Sequence, residues 1–526
     1  MLRCLVILLL TSISASTGAK SDFTVERLWE FARLGPFDVA SDGRRVAVTV
    51  ATFDYEADEG GSKIWLFDIE ARSAARQLTA APGSDTRPRW HPDGRHLFFL
   101  GTREDKPAQL YRIAVDGGEA QALTDLPVAV RDYRVVDNGR AVIFEAATWP
   151  DLNADFAKVK ARLEANQADK TQAKISETRI LRYWDHYLTD GQVPHLFRLN
   201  VASGAIVDLL PGFDRVTGFE RFEWDASRDG RHLVYSANST SAPYRELNFD
   251  LFLKPTEGSP ERNLTANNAA DEVQPVFSPD GKWLALQISD SEGVGFGQLA
   301  VADANGQNLR TVPFDRSAGS FSWSPDSRSL YFTASSQGAI PVFRLDPATL
   351  TVTQLTDETS GIYAFDVNAR RLVFAKTEVA NPSELYTASL DGKEAKRLSA
   401  HNHDWLQGKK LSFPVKHQLT NELGQTVDYW IMPPTQLEAG KKYPLLLQMH
   451  GGPTAMWGPG EFSMWHELQY FCSRGYGIVY ANPRGSGGYG LAFQRANRND
   501  WGTGPAADVL QACSMAAREA WADTSR

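Results

Sequence analysis

Segments of alternating hydrophobic and polar positions recur along residues 22–405, and each one follows a polar turn. The turns lie at positions 42, 93, 138, 229, 280, 326 and 368, and most of them contain Asp-Gly. After a turn, apolar residues occupy alternate positions, as at Val46 and Val48 or at Leu97 and Phe99. Glycine adopts the positive φ of a tight turn without steric cost, so this pattern predicts a β-hairpin at each turn.

A second hairpin follows each of the first ones and ends near a Leu-Thr pair, as at Leu78-Thr79. Four strands every 40 to 50 residues is the spacing of a β-propeller blade, so residues 22–405 predict a seven-bladed β-propeller. One turn interval spans 91 residues and leaves an eighth blade as an alternative, but it contains only one second hairpin. We therefore favour an insertion in blade three, at about residues 151–182.

The predicted insertion contains a charged segment with Phe156, Val159 and Leu163 at helical spacing. A helix that projects from the blade into solvent is the favoured interpretation. A substrate gate is the alternative.

The hydrophobic pattern changes after residue 405 and indicates a different fold class. Continuous apolar runs alternate with helical spacing, which is typical of a parallel sheet buried on both faces. The predicted strands are Leu411–Val415, Val427–Met432, Tyr443–Met449 and Tyr476–Ala481, and the predicted helices are Phe462–Ser473 and Asp508–Ala522. Residues 406–526 therefore predict a second domain of the α/β class, built on a parallel sheet. We expect Gly477–Ala481 to form the open edge of that sheet.

The first 19 residues have the pattern of a cleavable secretory signal. Arg3 precedes the apolar run Leu5–Leu10, and small residues end at Ala19. This predicts a periplasmic or secreted protein, and a buried N-terminal strand is the less favoured alternative. No later segment has the roughly 18 consecutive apolar residues of a membrane span. The net charge of -9 carries no block of like charge, which argues against a nucleic-acid partner.

The segment His450-Gly451-Gly452-Pro453 follows an apolar strand, at the sheet edge where open α/β folds bind ligands. Adjacent glycines allow a backbone N–H to face outward, and fixed donors of this kind stabilise the oxyanion in acyl transfer. An ordinary Gly-Gly-Pro exit from a strand has the same sequence. The motif alone leaves both interpretations open.

Two other patterns suggest cofactor or metal sites, and both are disfavoured. Gly485–Gly490 matches the Gly-x-Gly-x-x-Gly of dinucleotide-binding loops, but Asp508 opens a predicted helix instead of ending the next strand. His401, His403 and Asp404 lie in the predicted linker after blade seven, and no other element completes a ligand set. We interpret them as a polar turn and predict neither a metal nor a cofactor.

Taken in order, the propeller turns, His450–Pro453, Asn482–Gly490 and Asp500-Trp-Gly502 resemble the prolyl oligopeptidase family of serine peptidases. The segment Tyr183-Trp-Asp-His186 is similar to its acylaminoacyl-peptidase and dipeptidyl-peptidase-like branch. The resemblance implies that residues 406–526 are the N-terminal part of an α/β-hydrolase domain with an incomplete sheet. It further implies hydrolysis of short peptides by a Ser, His and Asp triad. It also implies an oxyanion hole that contains Gly452 and Gly451, in a site shaped by His450, Pro453 and Arg484.

The nucleophile of the resembled family lies in Gly-x-Ser-x-Gly. No serine of this sequence has glycine at both the second preceding and the second following position. We therefore expect the catalytic triad after Arg526 and an inactive chain as given, whether it is a fragment, a truncated gene product or the result of a frameshift. A secreted propeller used only for binding, with a vestigial hydrolase part, and an α/β-hydrolase esterase are the alternatives.

Overall fold

The computed structural model describes residues 23–525 except 71–74, 105, 172, 178–179, 184–185, 189, 220, 243, 245, 290–292 and 453. The predicted signal segment, residues 1–19, lies outside the described residues. Seven four-stranded antiparallel sheets are followed by one small mixed sheet with helices. The predicted seven-bladed propeller and the partial α/β-hydrolase fold are therefore both confirmed.

The first four blades occupy the chain from Arg33 to Asn263. Their strands are β1 (Arg33–Val39), β2 (Arg45–Asp54), β3 (Glu59–Asp68) and β4 (Arg76–Gln77) in blade one, and β5 (Asp85–Trp90), β6 (His96–Gly101), β7 (Gln109–Ala114) and β8 (Gln121–Ala122) in blade two. Blade three has β9 (Val130–Val136), β10 (Ala141–Thr148), β13 (Val193–Asn200) and β14 (Ile206–Asp208), and blade four has β15 (Trp224–Ala226), β16 (His232–Asn238), β17 (Phe249–Pro255) and β18 (Arg262–Asn263).

The insertion in blade three lies between β10 and β13. It contains the helix α1 (Phe156–Ala168) and the short hairpin of β11 (Arg182–Tyr183) and β12 (His186–Tyr187). The α1 helix begins after Asp155, whose carboxylate accepts a hydrogen bond from the Lys158 amide. Val159 is buried against blade three, so one side of α1 packs on the propeller while the rest faces solvent.

The last three blades follow the same order. Blade five has β19 (Glu272–Phe277), β20 (Trp283–Ser289), β21 (Gly297–Asp303) and β22 (Arg310–Thr311), and blade six has β23 (Ala318–Trp323), β24 (Leu330–Ala334), β25 (Val342–Asp346) and β26 (Thr351–Gln354). Blade seven has β27 (Gly361–Val367), β28 (Leu372–Glu378), β29 (Asn381–Ala388) and β30 (Lys396–Arg397). Two 3₁₀ turns, Glu26–Trp29 and Asp137–Gly139, complete the propeller part.

The recurring Ser-Pro-Asp-Gly turn is closed by its own side chains. In blade five the Ser278 hydroxyl donates to the Asp280 carboxylate at 2.7 Å and accepts from the Trp283 amide at 2.9 Å. Gly281 has a φ of 68°, as the sequence predicts for this position. The same pair of a hydroxyl and a carboxylate closes the turns of blades four and six, at Ser227–Asp229 and Ser324–Asp326, so these hairpins are determined locally.

Blades are joined by hydrogen bonds from one inner strand to the next. The Asp38 carboxylate of blade one accepts from the Trp90 amide of blade two at 2.6 Å. The Asp366 carboxylate of blade seven accepts from the Val39 amide at 2.9 Å and so links the last blade to the first. Because blades one and seven share no strand, this bond and a common apolar cluster close the ring.

The mixed sheet after the propeller has the order β31-β32-β34-β33. Its elements are α2 (His403–Leu406), β31 (Val415–Thr420), β32 (Thr426–Met432), β33 (Leu445–Gln448), α3 (Trp465–Ser473), β34 (Gly477–Ala481), α4 (Leu491–Arg495) and α5 (Thr503–Ala516). β34 pairs with β32 on one side and with the parallel strand β33 on the other. The expectation that Gly477–Ala481 forms the edge is wrong, because α3 carries the chain inward and leaves β33 outside.

Several predicted boundaries also differ from the structure, most clearly those of the first strand and the last helix. The first strand begins at Val415, where the predicted strand ended, and the last helix begins at Thr503, five residues before Asp508. The Asp500 carboxylate accepts from the amides of Thr503 and Gly504 at 3.0 and 2.9 Å. This cap starts α5 early and places Asp508 inside the helix.

The propeller and the sheet part pack closely through backbone contacts. A Cβ atom added at Gly460 would lie 1.9 Å from the amide nitrogen of Gly361, so both positions require glycine. The Trp465 indole donates to the carbonyl of Glu378 at 3.1 Å, and the Gln494 amide donates to that of Val294 at 2.9 Å. None of the helices in the described part of the chain combines the length and the apolar character needed to cross a bilayer.

Candidate active site

Two loops meet where the parallel strands β33 and β34 end. The first, residues 449–457, follows β33 and contains His450, Gly451 and Gly452, and the second, residues 482–490, follows β34. Carboxyl ends of parallel strands lie at one edge of a sheet, so the strand order brings these distant segments together. The two segments, named here the first and the second site loop, form the candidate active site.

Asn482 joins the two site loops and is fully buried. Its side-chain oxygen accepts from the His450 ring at 3.0 Å and from the Trp457 amide at 2.9 Å. Its side-chain nitrogen bonds the Trp457 carbonyl at 2.8 Å and the Tyr489 hydroxyl at 2.9 Å. With all four positions of the amide occupied, Asn482 determines the spacing between the loops.

The protonation of His450 follows from this network. The Asn482 oxygen is an acceptor, so Nε2 of His450 carries the proton that it donates. Burial lowers the pKa of His450, which favours the neutral ring. Ser486 lies 3.4 Å from the same nitrogen, but its hydroxyl donates to the Pro483 carbonyl at 2.7 Å. His450 thus positions the loop and is not a base for Ser486.

Gly452 has a φ of 123°, and an added Cβ would lie 2.6 Å from the Ala455 amide nitrogen. The residue is exposed, and its amide donates to no described residue. Gly451 differs, because an added Cβ would meet nothing within 4 Å. Only the second glycine is therefore required by the backbone of the loop. Pro453 lies outside the described residues, and its role in shaping the loop stays a prediction.

Arg484 fixes the second site loop to helix α5. Its guanidinium donates to both carboxylate oxygens of Asp508, from Nε at 3.0 Å and from Nη2 at 2.7 Å. Its backbone amide also donates to Asp508, at 2.9 Å. The third guanidinium nitrogen contacts Glu422 at 2.8 Å, and these hydrogen bonds raise the pKa of Arg484.

Tyr489 connects the second site loop to the sheet. Its hydroxyl donates to the Asp428 carboxylate at 2.9 Å, and Lys416 contacts the same carboxylate at 2.7 Å. Burial and the charge of Asp428 raise the pKa of Tyr489. Tyr489 and Asp428 line a cavity of about 610 Å³ between the sheet and propeller blades five and six.

Sequence reasoning did not single out Asn482, Tyr489 or Asp428 as site residues. The signal for Asn482 was available, since it directly follows the apolar strand β34, as His450 closely follows the apolar strand β33. Tyr489 and Asp428 carry no such signal, because 61 residues separate them and only the fold brings them together.

In the structure, residues of the disfavoured cofactor and metal patterns, or their neighbours, contact other parts of the protein. Asp508 binds Arg484 and does not face the glycines at 485–490. Asn402, between His401 and His403, is buried and bonds the backbone of Ala32 through its side chain. Within the described ranges, no three His, Cys, Asp or Glu side chains are placed to share a metal ion.

The chain was compared with known proteins. The model of the prolyl oligopeptidase family matches residues 461–526. An uncharacterized peptidase of Bacillus subtilis, YuxL, is 29% identical over 91% of this chain and 73% of its own length. Dipeptidyl-peptidase 5 of Porphyromonas gingivalis is 22% identical over 98% of this chain and 75% of its own length. The chain thus spans about three quarters of each relative.

Among solved structures, the acylaminoacyl peptidase of Pyrococcus horikoshii matches with a TM-score of 0.76 and 19% identity. The match covers 96% of this chain and 74% of that protein, so it extends from the propeller into the mixed sheet. The family match includes the second site loop, and it agrees with the relatives along nearly the whole chain and with the same two-part fold. The chain belongs to the prolyl oligopeptidase family of serine peptidases.

Proposed function

We propose that the protein hydrolyses short peptides by acyl transfer, with the Gly452 amide as one donor of the oxyanion hole. The observation that supports this most strongly is the geometry of Gly452. Its N–H is exposed and unpaired among the described residues, in a loop that Asn482 holds at the carboxyl end of a parallel strand.

The first site loop is held rigidly, and this supports the role of the Gly452 amide as a donor to the oxyanion. A donor stabilises an oxyanion best when it is oriented before the reaction, and one such donor contributes about 2.7–4 kcal/mol to the transition state. The amide of Asn482 and the positive φ of Gly452 restrict the loop, so the N–H does not need to reorient. His450 supports the loop and takes no part in proton transfer.

The position of the propeller supports short peptides as the substrates. Blades five and six lie against the first site loop, where Gly338 donates to the sulfur of Met456 at 3.2 Å. A folded protein has little room to approach this loop, whereas a short peptide can enter between the two parts. The names of the relatives, dipeptidyl-peptidase and acylaminoacyl peptidase, agree with substrates of this size.

Two further proposals concern the form of the protein. Arg3, the apolar run Leu5–Leu10 and Ala19 support export to the periplasm or medium, with a mature protein that begins near Lys20. N-terminal sequencing of exported protein tests this, and a start at Met1 would contradict it.

The 526 residues contain no Gly-x-Ser-x-Gly, so we expect them to be inactive on their own.

The proposed activity is tested with a fluorophosphonate probe and with acylated and dipeptidyl chromogenic substrates. We expect the product of the complete reading frame to be labelled at one serine in Gly-x-Ser-x-Gly and to cleave a peptide substrate. We expect neither result from the 526-residue chain. Labelling of Ser486 or another serine within these residues would show that the nucleophile is misplaced, and cleavage of esters but not peptides would support the esterase.

A further inference from the structure

A cavity of about 330 Å³ lies between blades three and four, away from the two site loops. It is named here the blade-three cavity. Its walls include three arginines, two carboxylic acids and several apolar side chains, among them Arg131, Arg215, Arg221, Glu145, Asp190 and Phe219. The volume is at the lower end of the range for ligand sites, about 300–1,000 Å³, and accommodates one or two residues of a peptide.

The blade-three cavity opens on the face of the propeller that carries the sheet part. Connections between the second and third strands of the blades make the contacts on that face. In blade five Val294 accepts from Gln494, and in blade six the Gln337 amide donates to the Gly488 carbonyl at 3.2 Å. The corresponding connection of blade three supplies Tyr187 and Gln192 to the cavity wall. A peptide between the two parts therefore has access to it.

The charges of the wall favour an anion. Arg215 and Arg221 are paired, with Glu261 at 2.7 Å and with Glu223 at 2.5 Å. Arg131 is exposed, and its guanidinium forms no ion pair or hydrogen bond with any described residue. Among the described residues, Arg131 is thus an arginine of the cavity without a direct partner, and its charge also acts on Glu145.

The unsatisfied polar atoms of the wall are donors. Nε2 of Gln192 and Nη1 of Arg215 are buried and have no hydrogen-bond partner among the described residues. Unpaired buried donors cost free energy, so a ligand that supplies acceptors gains affinity when these side chains rotate towards it. A carboxylate supplies several lone pairs, whereas an ammonium group supplies none.

Glu145 is the buried acid of the wall, 5% exposed, and it accepts one hydrogen bond, from the Trp224 indole at 3.4 Å. Burial raises the pKa of Glu145 to about 7, although Arg131 opposes the shift. A large share of the molecules therefore has a neutral carboxyl group here at neutral pH. A neutral carboxyl group does not repel an anionic ligand and can donate its proton to it.

We propose that the blade-three cavity binds the C-terminal carboxylate of a short peptide, with Arg131 as the main ionic partner and the aromatic walls around the last side chain. The peptide is taken to be a substrate, and to that extent the proposal rests on the proposed function. Binding itself does not require catalysis, so the two are tested separately.

The test is calorimetric titration of the 526-residue protein with N-acetyl-Ala-Phe, the same peptide as its C-terminal amide, and Ala-Phe-amide. We expect the free acid to bind at least tenfold more tightly than either amide. Arg131→Gln should weaken binding of the acid at least fivefold, and Glu145→Gln should leave it unchanged or tighter. Arg231→Gln is the matched control, because that arginine is 80% exposed in a turn on the opposite face.

Equal binding of acid and amide, or unchanged binding by Arg131→Gln, would overturn the proposal. Tighter binding of Ala-Phe-amide that is lost in Glu145→Gln would also overturn it, since the cavity would then take the N-terminal ammonium group. If the complete enzyme cleaves no peptide but the acid still binds through Arg131, the proposed function fails and the cavity assignment stands.

Discussion

The buried pair of Arg484 and Asp508 allows the sharpest test of how the second site loop is held. Asp508→Asn keeps the shape of the side chain and removes its charge. The side chains of Arg484 and Asp508 are 3% and 1% exposed, so water does not replace the lost partner. Asparagine offers one acceptor oxygen where the carboxylate offers two, and Arg484 then faces an amide nitrogen that has no lone pair to accept with.

The expected cost follows from these contacts. Breaking a buried pair by removing one partner costs about 3–5 kcal/mol, because an uncompensated charge is left behind. Glu422→Gln is the matched control, since Glu422 contacts the same guanidinium at 2.8 Å but is 63% exposed. An exposed partner of this kind contributes about 0–1 kcal/mol. Replacing both residues, with Arg484→Met and Asp508→Leu, should recover part of the loss.

Hydrogen exchange is the appropriate assay, because the propeller and the sheet part need not unfold in one transition. Exchange of the amides of β34 and α5 under conditions of rapid reclosing gives the local free energy of opening. We expect Asp508→Asn to lower it by about 3–5 kcal/mol and the propeller strands to be unaffected. If Asp508→Asn and Glu422→Gln have the same effect, the buried pair does not hold the loop and the reasoning is refuted.

Three other changes test the site and the propeller. In the product of the complete reading frame, Gly452→Ala should lower kcat by about 10²–10³, because its Cβ displaces the loop, while Gly451→Ala should leave kcat within about twofold. Burial and the nearby charge of Asp38 raise the pKa of Asp366 to about 7, so the folded state keeps a proton that the unfolded chain loses above about pH 4. The stability of the propeller should therefore fall between about pH 4 and pH 7, and calorimetry should show a flatter pH dependence in Asp366→Asn; an unchanged slope would contradict this. Residues 22–405 expressed alone should give a β-rich unit with a cooperative thermal transition by circular dichroism, and an aggregated product would count against an independent propeller.

The hydrophobic pattern was sufficient to predict the class of the fold and the number of blades. In blades four, five and six the first turn is closed by neighbours in the chain, as when Ser278 and Asp280 close the turn before Trp283. The continuous apolar runs before His450 and before Asn482 likewise predict two strands, although only β34 is buried and the edge strand β33 is half-buried. Local sequence features of this kind are sufficient to predict that both site loops follow strands, without information on contacts between distant residues.

The tertiary structure decided how these segments meet. No local pattern shows on which side of β33 the strand β34 pairs, because the crossover through α3 determines it, and the predicted edge strand proved central. The hydrogen bond between His450 and Asn482 joins residues that are 32 positions apart in the sequence, and the ion pair of Arg484 and Asp508 joins residues 24 positions apart. Such contacts depend on the packing of whole elements, since each side chain alone has many possible partners. Periodicity reports which residues are buried, whereas only the packed fold determines which of them bind one another.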